Sequence, residues 1–292
     1  MNLALGVEPR SDLTAEHKLV GAGTYHGLSI LSNGTVQQFG SAANAPLPGW
    51  LDGNRIVTIG GGTHHNIALL DDGNVVAWGS NVNGQSNVPP LPPGLRYEVA
   101  SASSWHNVAL RSDGTAVTWG YNGWQQCVIP ALPPSTTYVD ARALPMETVY
   151  LRSDNAIVRR GYYNTQHSSY QAPATPPGTK YVAIAGCDSA TLCALRSDGQ
   201  AVLWPSVAHH ISGQDVQPLP WGVYYVEVEG GSFVFGLRRS DGQVSIAGLW
   251  ARAMFPPLPP DPGFSYMQVG VTEDVVLCRA GPQSTYVGYG HG

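Results

Sequence analysis

GGGTHHNIALLDDGNVVAWGSNVNGQ (residues 60–85) and SASSWHNVALRSDGTAVTWGYNGWQQ (residues 101–126) are two versions of one pattern. In each, alternate positions match, His65, Ile67 and Leu69 in one and His106, Val108 and Leu110 in the other. That period of two specifies a β-strand. An Asp-Gly turn follows, at Gly73 and Gly114, and then a second strand that ends in Trp78-Gly79 or Trp119-Gly120. Asp-Gly between two such runs marks a hairpin, because Gly accepts the left-handed backbone that a tight turn needs.

The same turn recurs along the chain, with its last residue at Gly34, Gly73, Gly114, Asn155, Gly199, Gly242 and Gly281, at spacings of 39, 41, 41, 44, 43 and 39. Asn155 fits the series, since Asn tolerates the left-handed conformation best after Gly. Upstream of the turns the alternation reads His26, Leu28, Ile30; Glu147, Val149, Leu151; Thr191, Cys193, Leu195; and Glu273, Val275, Leu277. The sixth copy fits only with a one-residue slip, Phe233, Phe235, Leu237, which suggests a bulge. A further strand precedes each of these, as in YVAIAG from Tyr181 and YVEVEG from Tyr225, and before it runs a proline-rich connector such as VPPLPPGLRY or IPALPPSTTY. Proline tolerates an outer edge strand, where a missing N–H costs little. Each unit is therefore expected to be a four-stranded sheet.

Short, twisted sheets repeated with short links close radially. The expectation is an all-β, seven-bladed β-propeller forming one domain over 1–292. Its blades are read at approximately 19–55, 56–96, 97–137, 138–180, 181–224, 225–265 and 266–292, with residues 1–18 closing the last.

Charged residues are only 12% of the chain, against 35 Gly and 23 Pro, a composition of strands and turns. With 15 basic and 20 acidic residues, the basic ones scattered, a phosphate-tracking surface is not expected, so nucleic acid is set aside as a partner. The opening MNLALGVEPR does not read as a signal peptide, and no run approaches the roughly 18 apolar residues of a membrane span. A soluble, monomeric, cytoplasmic protein is the simplest expectation, although a mature exported form would look the same. Cys127, Cys187, Cys193 and Cys278 lack metal-site spacing; Cys187 and Cys193 flank a turn and could pair, but free thiols suit the apolar pattern better. No motif for a cofactor, metal or nucleophile is present.

The second and third copies resemble the regulator of chromosome condensation repeat, G-x-x-H-x-x-A-L, then D-G, then V-x-x-W-G-x-N-x-x-G-Q, a likeness that extends more weakly over nearly the whole chain. The resemblance implies a seven-bladed propeller. In size and in its PPLPPG connectors the chain is similar to single-domain bacterial members such as the propeller-type β-lactamase inhibitory proteins, which bind through aromatic residues. It has no basic tail, and only Trp78, Trp119 and Trp204 hold the repeat tryptophan.

Up-and-down strand order puts the first and third connections of each unit on one face and the repetitive turns on the other. On the variable face the first connections bring Tyr25, His64, Trp105, Met146, Asp188 and Ser232, and the third bring Asn81, Tyr121, Trp124, Tyr162, Tyr163, His209, His210, Trp250 and Arg252. Tyr, Trp, Met and Arg are enriched at the centres of protein interfaces. The sequence therefore points to a protein partner bound in inhibitor or adaptor fashion at Tyr25, His64, Trp105, Tyr121, Trp124, Met146, Tyr162, Tyr163, His209, Trp250 and Arg252. His26, His65 and His106 read as structural, as do the repeat tryptophans. Two alternatives stay open. One is a carbohydrate-binding propeller; the other is an enzyme whose acid and base groups would be drawn from Glu147, Glu273, Asp274 and His210.

Overall fold

A computed structural model of the chain describes residues 20–24, 26–30, 35–40, 47–51, 55–162, 171–187, 191–204, 216, 218–231, 234–248, 266–271, 275–280 and 285–290, the last three segments by their backbone course. Among these residues the fold is all-β, with one short 3-10 turn at Gly49–Leu51. The first three sheets comprise β1 (Val20–Ala22), β2 (His26–Ile30) and β3 (Val36–Gly40); β4 (Ile56–Gly61), β5 (His65–Leu70) and β6 (Val75–Gly79); and β7 (Tyr97–Ser103), β8 (His106–Arg111) and β9 (Ala116–Gly120). The next two are β10 (Tyr138–Leu144), β11 (Glu147–Arg152) and β12 (Ile157–Gly161), and β13 (Tyr181–Gly186), β14 (Leu192–Arg196) and β15 (Ala201–Trp204). The last are β16 (Tyr225–Gly230), β17 (Val234–Arg239) and β18 (Val244–Gly248), and β19 (Tyr266–Val271), β20 (Val275–Ala280) and β21 (Thr285–Gly290). Each sheet is antiparallel and three-stranded, paired in chain order.

The expected fourth strand is therefore corrected. The described proline-rich connectors, residues 87–96, 128–137 and 171–180, join no ladder. Their prolines lack the N–H that a ladder requires. Each connector is instead held by the tyrosine that opens the next sheet: Tyr97, Tyr138 and Tyr181 donate their hydroxyls to the carbonyls of Pro89, Pro130 and Pro173 at 2.8, 2.5 and 2.7 Å.

The hairpin turns match the sequence reading wherever they are described. Gly73, Gly114, Asn155, Gly199 and Gly242 have φ of 82, 77, 72, 76 and 78°. In three copies the turn carbonyl accepts the N–H of the next sheet's first tyrosine, as Gly73 does from Tyr97 at 2.8 Å. At Asn155 the side chain takes over that task, Tyr181 N donating to Oδ1 at 2.7 Å.

The slip expected in the sixth copy is absent. β17 pairs with β18 without interruption, Val234 standing where His65 stands in the second copy. The irregularity lies in the first strand, between Tyr225 and Glu227, and the same shift recurs at Ile56/Thr58, Tyr97/Val99, Tyr138/Asp140, Tyr181/Ala183 and Tyr266/Gln268. Parity misled because both faces of a middle strand are covered. All of residues 65–69 and 106–110 are buried, so either phase can be apolar.

The described cores lie between consecutive sheets. Ile67 and Leu69 of the second meet Tyr97, Ala100, Ala109 and Trp119 of the third. Val149 and Leu151 meet Tyr181, Ile184, Ala194 and Trp204 in the same manner. The repeat tryptophans thus pack between sheets, as expected. First strands run side by side from β1 and β4 through to β16 and β19, and β19 also lies beside β1. Their approach is close: a Cβ on Gly230 would stand 2.1 Å from the Gly186 carbonyl oxygen. Because that neighbour is backbone, Gly230→Val should lower stability by about 2–3 kcal/mol in thermal melts. Gly49→Ala, where nothing lies within 4 Å, should leave the melt unchanged.

Candidate functional site

The first and third connections do share one end of the sheets, and backbone bonds tie them together. Ser80 N donates to His64 O at 2.8 Å, Tyr121 N to Trp105 O at 2.9 Å, and Tyr162 N to Met146 O at 2.9 Å. A turn shared by two copies then presents a different residue in each. Asn83 N donates to Gln85 Oε1 at 2.8 Å in the second sheet, and Trp124 N to Gln126 Oε1 at 2.9 Å in the third. One scaffold thus offers an amide in one copy and an indole in the next.

That indole completes an aromatic triad. Trp105 meets Tyr121 edge-on, centroids 5.7 Å apart at 82°, and Tyr121 meets Trp124 at 5.1 Å and 73°. The Tyr121 ring lies over Gly123, where a Cβ would stand 2.1 Å from the hydroxyl oxygen. Trp105 remains 38% exposed and Tyr162, on the next sheet, 63%. His64 and Met146 are half-buried. Tyr25, Tyr163, Asp188, His209, His210, Ser232, Trp250, Arg252, Glu273 and Asp274 lie outside the described residues, as does the segment 1–18 expected to close the last blade.

Among the described residues, charge is unevenly placed between the two ends. The described connections at the aromatic end, residues 63–64, 80–84, 104–105, 121–125, 145–146 and 162, contain no Asp, Glu, Lys or Arg. The hairpin turns at the other end carry ion pairs: Arg152 with Asp154, Arg196 with Asp198, Arg239 with Asp241, and Arg55 with Asp71 at 3.4 Å. Hydrogen bonds from Arg152 and Arg196 hold the Asp154 and Asp198 carboxyls below the usual range.

The histidines are structural. His65 Nε2 lies 2.8 Å from Asn107 Oδ1, and His106 Nε2 2.8 Å from Thr148 Oγ1, each bond crossing from one sheet to the next. Since Asn107 donates its amide N–H and Thr148 its hydroxyl to the carbonyls of Gln85 and Gln126, the imidazoles are the donors in these contacts. His26 approaches the Asn66 amide at 2.5 Å; with its nitrogen toward the imidazole, Asn66 also accepts from Trp78 Nε1 at 3.2 Å. Burial pushes His65 down to about 4 and His106 to about 3, and lowers His26 as well.

Glu147, one of the acid-base candidates, occupies the histidine slot of the fourth sheet and faces the interior. It is buried and paired with Arg159, whose Nε donates to Oε2 at 2.8 Å and whose Nη2 bonds Oε1. Burial raises its pKa while Arg159 opposes the shift. Neither group is exposed to a substrate, the side chains being 0% and 2% accessible.

Two features escaped the sequence reading. A cavity of about 310 Å³ is lined by first strands, with Glu98, Asp140, Arg142 and Glu229 its charged groups. Asp140 bonds Arg142 at 2.7 Å and accepts Ile184 N at 2.9 Å, bridging two sheets. The alternation in YVDARAL was the available signal. Trp221 is wholly exposed at a turn where sister connectors have Pro93, Pro134 and Pro177. Cys127, Cys187 and Cys193 are free thiols.

The regulator of chromosome condensation (RCC1) repeat model matches residues 56–85. No curated protein matches the sequence. Among solved structures, the CRINKLY WD40 ectodomain of the Arabidopsis thaliana receptor kinase ACR4 is similar at 19% identity, covering 94% of this chain and 95% of that one, with a TM-score of 0.69. Yeast RCC1 (Prp20), solved with Kap60, is 14% identical over 93% of this chain and 79% of its own, TM-score 0.66. Prp20p of Saccharomyces cerevisiae, reported with its binding properties to Gsp1p and histones, is 14% identical over 94% and 82%, TM-score 0.64. The chain has an RCC1-like propeller fold.

Proposed function

We propose that this chain is a seven-bladed propeller whose aromatic end binds a protein partner, in the manner of an inhibitor or adaptor, without catalysing a reaction. The observation that carries the reading is the triad of Trp105, Tyr121 and Trp124 set in connections free of charged residues. Large rings with a polar edge give most binding energy where charges are few. The sevenfold repetition and the position of β19 beside β1 support a closed ring over 1–292. One neighbour of similar fold, yeast RCC1 (Prp20), is linked with protein partners in two structures: it was solved with Kap60, and it was reported with its binding properties to Gsp1p and histones. The protein works as a soluble monomer, in the cytoplasm or after export, and the style of its connectors fits the bacterial inhibitors.

The alternatives receive less support. Sugars stack on an open ring face, whereas adjacent rings of the triad stand nearly perpendicular, and Glu147, one of the four acid-base candidates, is buried with Arg159. In a pull-down followed by titration of the captured protein, Trp105→Ala and Trp124→Ala should each weaken binding by about 2 kcal/mol, roughly thirtyfold, with unchanged melts. Full affinity in both variants would remove the aromatic end from the interface.

A further inference from the structure

We infer that the cavity lined by first strands holds a small zwitterion, a molecule of amino-acid size whose carboxylate docks on Arg142 and whose ammonium group faces Glu229. The wall provides the room. Five first strands line the cavity, and at the level where Gly60 pairs with Ile67 they place Gly60, Ser101, Arg142, Ala185 and Glu229. Three of these are small. The other two are long, opposite in charge, and separated along the wall only by the strand that carries Ala185. At about 310 Å³ the space lies at the lower end of the range of ligand sites and suits a small molecule.

Arg142 is only half used. Its Nη1 donates to Asp140 at 2.7 Å and to the Ala141 carbonyl at 3.2 Å, whereas Nε and Nη2 bond no group among the described residues. Neither nitrogen is sealed from solvent, and the side chain is 25% accessible where it lines the cavity. Nε and Nη2 form one edge of the guanidinium, the planar fork that takes a carboxylate through two parallel bonds. Asp140 holds that fork in place through the remaining nitrogen, and is itself anchored by Ala141 N and Ile184 N, each donating at 2.9 Å.

Charge selects the rest of the ligand. Burial works against the Arg142 cation, but Asp140, Glu229 and Glu227 outweigh it and raise its pKa. Burial raises the Asp140 carboxyl, and Glu229 adds to the rise. Both acids therefore stand within electrostatic reach of the docking edge. A lone carboxylate or a dianion would meet their repulsion, and a lone amine would meet that of Arg142. A zwitterion sets a counter-charge against each side, which offsets the cost of taking its charges out of water. Glu98, the other charged residue of the described lining, is paired with Arg96 at 3.0 Å.

The test is calorimetric titration of the whole protein with unbranched ω-amino acids from glycine to ε-aminohexanoate, with hexanoate, hexylamine and adipate as controls that carry one charge or two negative ones. At least one amino acid should bind saturably with a Kd below about 1 mM, and about tenfold or more tightly than every control. Arg142→Lys keeps the charge but not the fork, and Glu229→Gln leaves the pair of Arg142 and Asp140 intact. Each should weaken that binding about tenfold or more, with a melt near that of the wild type. If Arg142→Lys fails to fold, Glu229→Gln alone decides. No saturation by any of the amino acids, a control that binds as tightly as the best of them, or wild-type affinity in either folded variant overturns the inference.

Discussion

Arg159→Ala should lower the unfolding free energy by about 3–5 kcal/mol, one of the two largest effects expected in this molecule. Arg159 and Glu147 are both buried, and truncating the arginine leaves a carboxylate with neither water nor its cation. The loss measures the orphaned charge more than the worth of the pair, so Glu147→Leu combined with Arg159→Leu should recover most of it. A pH series separates this from simple loss of packing. In Arg159→Ala the Glu147 carboxyl would titrate above its unfolded value, so the folded state binds the extra proton and the defect shrinks as pH falls. Urea titrations at neutral pH and near pH 5 give the answer. A loss below about 1 kcal/mol, or one indifferent to pH, would mean that the pair is not buried as described.

Acid should begin to destabilise the wild-type protein below about pH 6.5, before most carboxylates titrate. His65 falls from 6.5 to about 4 on folding and His106 to about 3. For groups depressed in this way the unfolded chain takes up protons first. Their contribution is complete above pH 6.5 and is lost as pH drops through the folded values. For His65 the difference corresponds to about 3 kcal/mol. Between about pH 5.5 and 4.5 the two histidines together should give a slope approaching 3 kcal/mol per pH unit, and His65→Gln should remove about half of it. Equilibrium unfolding across that interval, with the variant alongside, is the measurement. A flat profile in the wild type would show that these imidazoles are not held neutral in the interior.

Much of the fold was legible because it is written in turns. A left-handed residue at the hairpin is demanded by local geometry, so Gly73, Gly114, Gly199, Gly242 and even Asn155 could be placed from the sequence. The parity of the sixth copy could not, because a middle strand covered on both faces carries no signal in its alternation. Proline-rich connectors were legible as edges but not as non-strands. What replaces the ladder there is a tyrosine hydroxyl eight residues away, which composition does not reveal.

The site was half legible. Strand order set Trp105 beside Tyr121 and Met146 beside Tyr162 within their own sheets, and backbone bonds join each of these pairs. Which rings touch was not, because Trp124 reaches Tyr121 through a turn set by Gln126 and by the bare backbone of Gly123. The fate of Glu147 was likewise hidden. Its partner Arg159 is on the adjacent strand of the same sheet, twelve residues on, and no spacing in the sequence marks the pair.

The rungs from His26 to Asn66 and from His65 to Asn107 join the same two residue types across successive seams. If unequal crossing-over excised the second copy, His26 would face Asn107 and the seam would heal without a compensating change. At the next seam His106 faces Thr148, and beyond it the slot holds Glu147, tied within its own sheet. At the level of these rungs the early modules are therefore interchangeable, whereas the fourth, with a different residue in the slot, is not.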